Sequence, residues 1–473
     1  MNHPSAYAGR PVVVLGLARS GVAVAKLFHA YGANVTVNDQ KPLEQCPEAA
    51  ELTALGISVV CGGHPPELIH PGVSLVVKNP GIPYKAAPVA RALELGIEVV
   101  TEIEVAYRVS EAPIIGITGS NGKTTTTTWI GEMLREAGLK PVVAGNIGTP
   151  LCEAAPVAKP GQWIVAELSS FQLKGTADFR PRIALLLNVY ETHLDYHGTM
   201  DDYIESKAKL FARQRPDDIA LLNADDPVCR RLAESVKGRL VQFSVTGPVG
   251  EGVYLDPPLP PASVPLERET LLYRDKDGAV HELLKATELG IPGRYNIENA
   301  AAAAAAALSA GAGLEAVRRA LREFRGVEHR LEFVAERNRV VYYNNSKATN
   351  SAATIRAMEG FDRPIVLVAG GQDRGLDFLD MLEPLAAKVR GLVAIGQTRD
   401  ILARVAARAG VPEVRTIETT EPEAAMREAV RAAAGIARPG DAVLLSPACA
   451  SWDMYRSYEE RGRMFKESVH TLE

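Results

Sequence analysis

From residue 11 to residue 100 the chain alternates short apolar runs with amphipathic stretches: PVVVLGL, GVAVAKLFHAYG, NVTVND, AAELTALG, ISVVCGG, SLVVKNPG, APVARALELG and IEVV. Short strands alternating with helical periodicity predict a parallel sheet with helices packed on its faces. The pattern breaks near Thr101, where an acidic helix, EIEVAYRVSEA, leads to Pro113. A second α/β unit starts with the strand PIIGIT and continues through WIVAELSS and IALLLNV to DIALLNADD. Between Ser244 and Leu289 a Pro-rich stretch is followed by a hairpin turning at Asp277-Gly278. ENAAAAAAAALSAGA reads as a tightly packed helix, since Ala has the best helix propensity and Gly311 and Gly313 end it. A last α/β block runs from about Val327 to the end, with strands RVVYYNNS, PIVLVAGG, LVAIGQ and AVLLSPA. The expected class is therefore α/β in three domains: a Rossmann-like domain over 1–101, a central P-loop domain over 102–326 and a Rossmann-like domain over 327–473. No internal repeat is visible.

At 473 residues the chain is too long for one ordinary core, which agrees with several domains. A net charge of −5 gives no electrostatic reason to expect nucleic acid or an anionic membrane surface. No apolar run approaches the ~20 residues that span a bilayer, and MNHPSAYAGR lacks a signal-peptide core. Cys46, Cys61, Cys152, Cys229 and Cys449 are scattered without metal spacing, which suits buried thiols in a reducing cytosol.

Two glycine loops carry the candidate chemistry. In GITGSNGKTTTTT a strand runs into the turn Gly119-Ser120-Asn121-Gly122, then Lys123-Thr124-Thr125 and a helix. Backbone N–H groups there face anionic oxygens, the lysine reaches terminal phosphates and a threonine hydroxyl can ligate Mg²⁺. The usual GxxxxGK[ST] pattern has Ile117 where its first glycine belongs, so this is a shortened variant; strand before and helix after mark it as an ATP site. The other loop, Gly16-Leu17-Ala18-Arg19-Ser20-Gly21, keeps the outer glycines of GxGxxG and has Ala18 at the middle one. With Asp39 ending the next strand, a dinucleotide and a different diphosphate ligand are both allowed. Glu167 ends an apolar strand, where a carboxylate either holds Mg²⁺ or caps the following helix. His193, Asp195 and His197 alternate in a loop at a sheet edge where α/β proteins bind ligands, and each histidine equally fits a hydrogen-bonded loop residue. Nothing in the spacing singles out Lys207 from Lys209.

The ordered set TGSNGKTT, ELSSFQL, NVYETHLDYH, YIESKAK, PGRYNIENAAAA, EHRLE, NNSKATN and LLSPACASWDMY…YEERG resembles the Mur ligase family over essentially the whole chain. The resemblance implies an ATP-dependent amide ligase of cytoplasmic peptidoglycan precursor synthesis, a monomer with no membrane insertion. Its small-molecule substrates would be UDP-N-acetylmuramoyl-L-alanine and D-glutamate, joined through an acyl phosphate. The amino-terminal loop then grips a UDP handle, which makes Ala18 tolerable. By the same resemblance Gly119 to Thr125 cradle ATP, with Lys123 and Thr124 on its phosphates. Glu167 with Thr124 would hold one Mg²⁺, and His193 with an N-carboxylated Lys207 a second, Mn²⁺ being able to substitute. Asn296 and Asn299 match the adenine-contacting pair, while His329, Arg330 and Asn345 match nucleotide contacts of the third domain. Leu17, Arg19, Ser20, Asp39, Lys41, Asn79, Gly81, Asn146 and Ser169 match the UDP-substrate side. Lys347, Thr349, Arg374, Ser451 and Tyr458 match the D-glutamate side, with Lys347 among the catalytic groups.

The chain departs from the family pattern in three places: Asn345 for an Asp, Arg374 for a Lys and Tyr458 for a Phe. A sibling ligase adding a diamino acid shares HLDYHG, but its DNPR is replaced by GGQDRGLDF. An NAD-linked oxidoreductase would explain residues 11–60 and leave the Lys123 loop unused.

Overall fold

A computed structural model of the chain describes residues 1–261, 264–361 and 363–472, apart from the side chain of Asp195. Among these residues the strands form three sheets with helices packed against them, as the apolar runs predict.

The first sheet has the order Ser58–Cys61, Asn34–Asp39, Pro11–Leu15, Leu75–Lys78, Val99–Val100, all parallel. Strand order reverses between Pro11–Leu15 and Leu75–Lys78, so the Gly16 loop and the Asn79 loop flank one crevice, the place where open α/β sheets bind ligands. Gly16 has φ +100°, and a Cβ there would lie 2.8 Å from the Asn79 Cβ. A Cβ on Gly21 would sit 1.9 Å from the Gly16 carbonyl oxygen, so both outer glycines of the loop are required by backbone packing.

The second sheet places Ile114–Thr118 between Ile164–Glu167 and Ile183–Leu186, with Val142–Gly145 beyond and Ile219–Asn223, Arg239–Ser244 and Gly252–Asp256 on the other flank. The hairpin Thr270–Arg274 and Val280–Lys285 closes that flank antiparallel. Asp275 Oδ1 accepts from the N–H groups of Asp277 and Ala279 at 2.9 Å, and Gly278 takes φ +87° in the turn. Parallel register sets Ile117 opposite Glu167 and Thr118 opposite Leu186, so the ends of three strands converge below the phosphate loop.

The alanine run lies in the helix Arg294–Ser309, and Ala300 to Ala307 are at most 1% exposed. Small side chains let neighbouring elements approach that helix closely on every side. Trp129 and Trp163 close this region by donating from indole Nε1 to the carbonyls of Ala320 (3.0 Å) and Ala310 (3.1 Å).

The third sheet runs Glu332–Arg337, Val340–Asn344, Ala442–Leu445, Ile365–Gly370, Val389–Ile395, Glu413–Thr416, parallel except at its first edge. The chain packs as two compact units. One comprises Met1–Leu259, Arg268–Ala286 and Glu298–Leu321; the other comprises Pro260–Glu267, Thr287–Ile297 and Arg322–Glu473. The first two sheets share the first unit because their helices bury one apolar core, which includes Phe28, Ile103, Leu151 and Leu173. The five thiols are unpaired and four are buried. No helix among the described residues is long and apolar enough to cross a membrane.

Candidate active site

The loop after Ile114–Thr118 is held open for an anion by its own geometry. Gly122 is the N-cap of the helix Lys123–Glu136 in the left-handed region (φ +81°) and supplies no side chain to cap it. The first N–H groups of that helix therefore face outward, with the positive end of the helix dipole behind them. A Cβ at Gly122 would meet Asn299 Oδ1 at 2.2 Å, so glycine is fixed there by space as well as by φ. The turn is pinned from below: Ser120 N–H donates to the Asn188 carbonyl and Asn121 N–H to Asn188 Oδ1, both at 2.9 Å.

Two lysine side chains meet on one carbonyl. Lys123 Nζ donates to Gly119 O at 2.7 Å and to Ser120 O at 3.0 Å; Lys207 Nζ donates to Gly119 O at 2.9 Å and to Thr118 Oγ1 at 3.3 Å. Lys207 projects from the helix Met200–Ala208 and is 1% exposed, with its Nζ 4.6 Å from the centre of the Tyr203 ring. Burial pushes its pKa well below that of a free lysine, and the Lys123 charge adds to the shift. Burial thereby favours the uncharged form of an amine placed beside the phosphate loop.

Glu167, 2% exposed at its strand end, accepts from Thr124 Oγ1 at Oε2 (2.7 Å) and from Asn146 Nδ2 at Oε1 (2.9 Å). The helix after it is capped by Ser169, in a reciprocal capping box with Gln172. Glu167 thus leaves the cap to Ser169 and turns toward the loop threonine. His193 begins the short helix Leu194–His197 with φ +58°, exposed to solvent. Its ring packs edge-on to Phe171 at 5.1 Å and lies 6.4 Å from the Tyr203 ring, whose hydroxyl is 2.9 Å from Ser120 Oγ. His197 is turned inward instead, between Asp202 (2.6 Å) and Ser170 (3.0 Å), and burial lowers its pKa. It is a core histidine of this segment. The side chain of Asp195 lies outside the described residues.

Asn299, in the unit of the phosphate loop, accepts from Thr126 Oγ1 at 3.4 Å; Asn296, three residues earlier on the alanine helix and counted with the other unit, donates to the Pro292 carbonyl. At the first sheet, Asp39 receives Leu17 N–H (2.8 Å) and Lys41 N–H (2.9 Å), stitching two loops together. Arg19 and Ser20 open the helix Arg19–Ala30, whose N-cap Ala18 offers no side-chain acceptor, so this helix end is open too. Asn79 donates to Ser20 Oγ at 3.3 Å and accepts from Gly81 N–H at 3.1 Å.

The second unit gathers the remaining residues. Lys347 Nζ donates to Tyr458 Oη (3.1 Å) and lies 4.9 Å from that ring's centre. Burial pushes the Tyr458 hydroxyl up to about 12, so it stays protonated. His329, at φ +63°, shares a 2.9 Å bond with Asn344, and burial lowers its pKa. Arg330 follows it, with its N–H on the Val327 carbonyl. Asn345 uses both ends of its amide internally, accepting from Leu331 N–H (3.2 Å) and donating to Ser446 Oγ (3.0 Å). That pairing gives the amide a structural use at this position. Arg374 stacks its guanidinium 5.3 Å over Trp452 and is exposed, as is Thr349; Ser451 is buried.

Sequence reasoning passes over Asn188, Tyr203, Glu298 and Arg461. Asn188 lies two residues past the strand Ile183–Leu186, at the end of the apolar run IALLL, and that position at the ligand edge is a readable signal. Glu298 lies against Asn223 (2.9 Å), with its pKa raised to about 7 by burial. Arg461 is fully buried and ties three loops of the second unit: it donates to Ser346 Oγ (3.0 Å), Ser346 O (2.9 Å), Cys449 O (3.1 Å) and Gly370 O (3.5 Å). Nothing in YEERGRMFKES distinguishes that arginine from its solvated neighbours.

Three family descriptions match the chain: "Mur ligase MurD-like, N-terminal domain" over residues 10–101, "Mur ligase middle domain" over 117–307 and "Mur ligase, glutamate ligase domain" over 329–449. A UDP-N-acetylmuramoylalanine--D-glutamate ligase of Geobacillus kaustophilus (strain HTA426) is 49% identical over 471 residues, covering 98% of each chain. One from Geobacillus sp. (strain WCH70) is 46% identical over 473 residues, covering 100% of each. Among solved structures, UDP-N-acetylmuramate-alanine ligase from Thermotoga maritima has a TM-score of 0.56 at 20% identity, with 98% of this chain and 99% of that one covered, a likeness of fold.

Proposed function

The chain belongs to the Mur ligase family, and from that premise we propose that it joins D-glutamate to UDP-N-acetylmuramoyl-L-alanine at the expense of ATP. The observation that carries this reading is the full-length match, at 49% identity, to a ligase named for that acceptor. It acts as a cytoplasmic monomer in this reading.

The open N-terminus of the helix Lys123–Glu136 binds the phosphates through its N–H groups, and Lys123 spreads the charge of the γ-phosphoryl group as it transfers. The L-alanine carboxylate attacks that phosphorus, ADP leaves, and the acyl phosphate so formed carries a good leaving group. The D-glutamate amine attacks the acyl carbon, loses its proton and expels phosphate. Lys347, Arg374 and Ser451 select a dicarboxylate by charge and hydrogen bonding, with Lys347 held by Tyr458.

The donor set fits Mg²⁺. The hydroxyl of Thr124 and the buried carboxylate of Glu167 lie 2.7 Å apart, both hard oxygen donors. No cluster of three His, Cys, Asp or Glu side chains that could hold a metal ion occurs among the described residues. Thr124 and Glu167 would hold one ion; His193 and an N-carboxylated Lys207 would hold another. Mg²⁺ or Mn²⁺ held by these residues would supply charge neutralisation for the transferring phosphoryl group. The lowered pKa of Lys207 supports the carbamate, since only the uncharged amine adds CO₂, releasing a proton.

Product analysis with ATP, UDP-N-acetylmuramoyl-L-alanine and one amino acid at a time tests the reading. Amide formation and ADP release are expected with D-glutamate alone. Turnover with lysine or diaminopimelate in its place, or none with any acceptor, overturns it.

A further inference from the structure

Lys78 takes no part in the chemistry above and is among the largest fully buried side chains, at 1% exposure. It ends the strand Leu75–Lys78, immediately before Asn79. Its three donors are all used: Nζ reaches Ile82 O at 2.9 Å, Pro80 O at 3.3 Å and Tyr196 Oη at 3.3 Å. Tyr196 Oη in turn donates to Pro80 O at 3.0 Å, closing a ring of contacts. The Tyr84 ring lies 4.7 Å from the ammonium. Among the described residues no carboxylate lies within ion-pair distance of it, so neutral oxygens and a π face compensate its burial. An ammonium is costly to bury on such terms, and burial together with the nearby Lys174 pushes its pKa only to about 8, so it is still mainly protonated at neutral pH.

The two segments it joins come from different sheets. One is the Asn79–Ile82 loop, tied through Asn79 to Ser20 on the amino-terminal helix. The other is the helix Leu194–His197, which starts from His193 and leans on Phe171 through Tyr196 (4.5 Å). We propose that Lys78 is a positioning residue for ligation: it locks the Asn79–Ile82 loop to the Leu194–His197 helix and so holds the nucleotide-sugar end of the substrate in register with His193. This rests on the ligase reading for what is being positioned, although the lock itself does not.

Lys78→Met keeps the length of the side chain and removes the donors; Tyr196→Phe removes one oxygen and keeps the ring, so it preserves packing. Each is expected to raise KM for UDP-N-acetylmuramoyl-L-alanine about tenfold, the size of one charge-assisted hydrogen bond. KM for ATP and for D-glutamate should stay within about twofold, and the double variant should be no worse than Lys78→Met alone, because both remove one coupled contact. Without substrate, amide hydrogen exchange should quicken together at Ile82 and His197, whose N–H groups are bonded to Asn79 O and His193 O. Equal KM shifts for all substrates, no shift, or additive losses overturn the assignment. If the unaltered protein makes no amide product, the ligase reading fails, and exchange at Ile82 and His197 still decides the lock: unchanged protection in Lys78→Met overturns it.

Discussion

Replacing Glu102 by glutamine should stabilise the chain at pH 8 and do little at pH 5. Glu102 opens the helix Glu102–Val109 and is 2% exposed. Its Oε1 accepts from Cys152 N–H at 2.6 Å, at the start of the short helix Leu151–Ala154, whose N-cap Pro150 has no side-chain acceptor. Burial outweighs the hydrogen bonds from Cys152 and Leu151 and raises the carboxyl from its ordinary 4.5 to about 7. At about 1.4 kcal/mol per pH unit, ionisation in the folded state then carries a penalty of about 3 kcal/mol. Between pH 4.5 and 7 the folded chain binds a proton that the unfolded chain has released, so stability falls as pH rises through that window. Glutamine is neutral throughout and retains an acceptor for Cys152. The advantage of Glu102→Gln should therefore be under ~1 kcal/mol at pH 5 and grow to about 2–3 kcal/mol at pH 8, with some lost because a neutral amide accepts less strongly than a carboxylate. Groups such as Glu298 titrate alike in both proteins and cancel. The assay is urea unfolding followed by tryptophan fluorescence in a Trp452→Phe background, which leaves Trp129 and Trp163, both in the same compact unit as Glu102. A gap that is the same at pH 5 and pH 8, or a glutamine variant less stable at pH 8, would refute the reasoning.

Lys207→Met should abolish amide formation while raising the melting temperature at pH 7, because it removes a buried amine whose charged form is disfavoured by burial. Since the folded-state pKa is depressed, that gain shrinks as pH rises toward the free-lysine value of 10.5, which a melting series over pH checks. Arg461→Lys keeps a charge and loses the fork that spans Ser346, Cys449 and Gly370; a loss of about 2–4 kcal/mol is expected, read by chemical unfolding of the Arg322–Glu473 unit. Amino-acid turnover should fall with it, since the Ser346 anchored by Arg461 immediately precedes Lys347.

The sheets are legible in the sequence because parallel strands buried on both faces are written as continuous apolar runs. The edge strands Glu332–Arg337 and Glu413–Thr416 are not, since half-exposed edges carry charge and blur the pattern. The phosphate loop is legible because glycine, lysine and threonine do their work within one turn of chain. Glu167 is legible as a carboxylate at a strand end, yet only the register against Ile117 and the cap taken by Ser169 show which way it faces. Lys207 and Lys209 are two residues apart on similar terms; one lies at 1% exposure under the loop, while the other reaches the carbonyls of Lys174 and Thr176. Only tertiary packing separates them. The same holds for Lys78, which in SLVVK reads as an ordinary polar strand end.

The lysine of the phosphate loop rests on two carbonyls of its own turn, and one of these also holds the second lysine. An incoming anion therefore competes with neutral oxygens already in place, and it succeeds only by offering more negative charge at once than they do. A lone dihydrogen phosphate is a poor competitor, whereas a chelated polyphosphate tail displaces both contacts together. The loop should therefore discriminate on ligand charge, binding inorganic phosphate far more weakly than a nucleoside triphosphate.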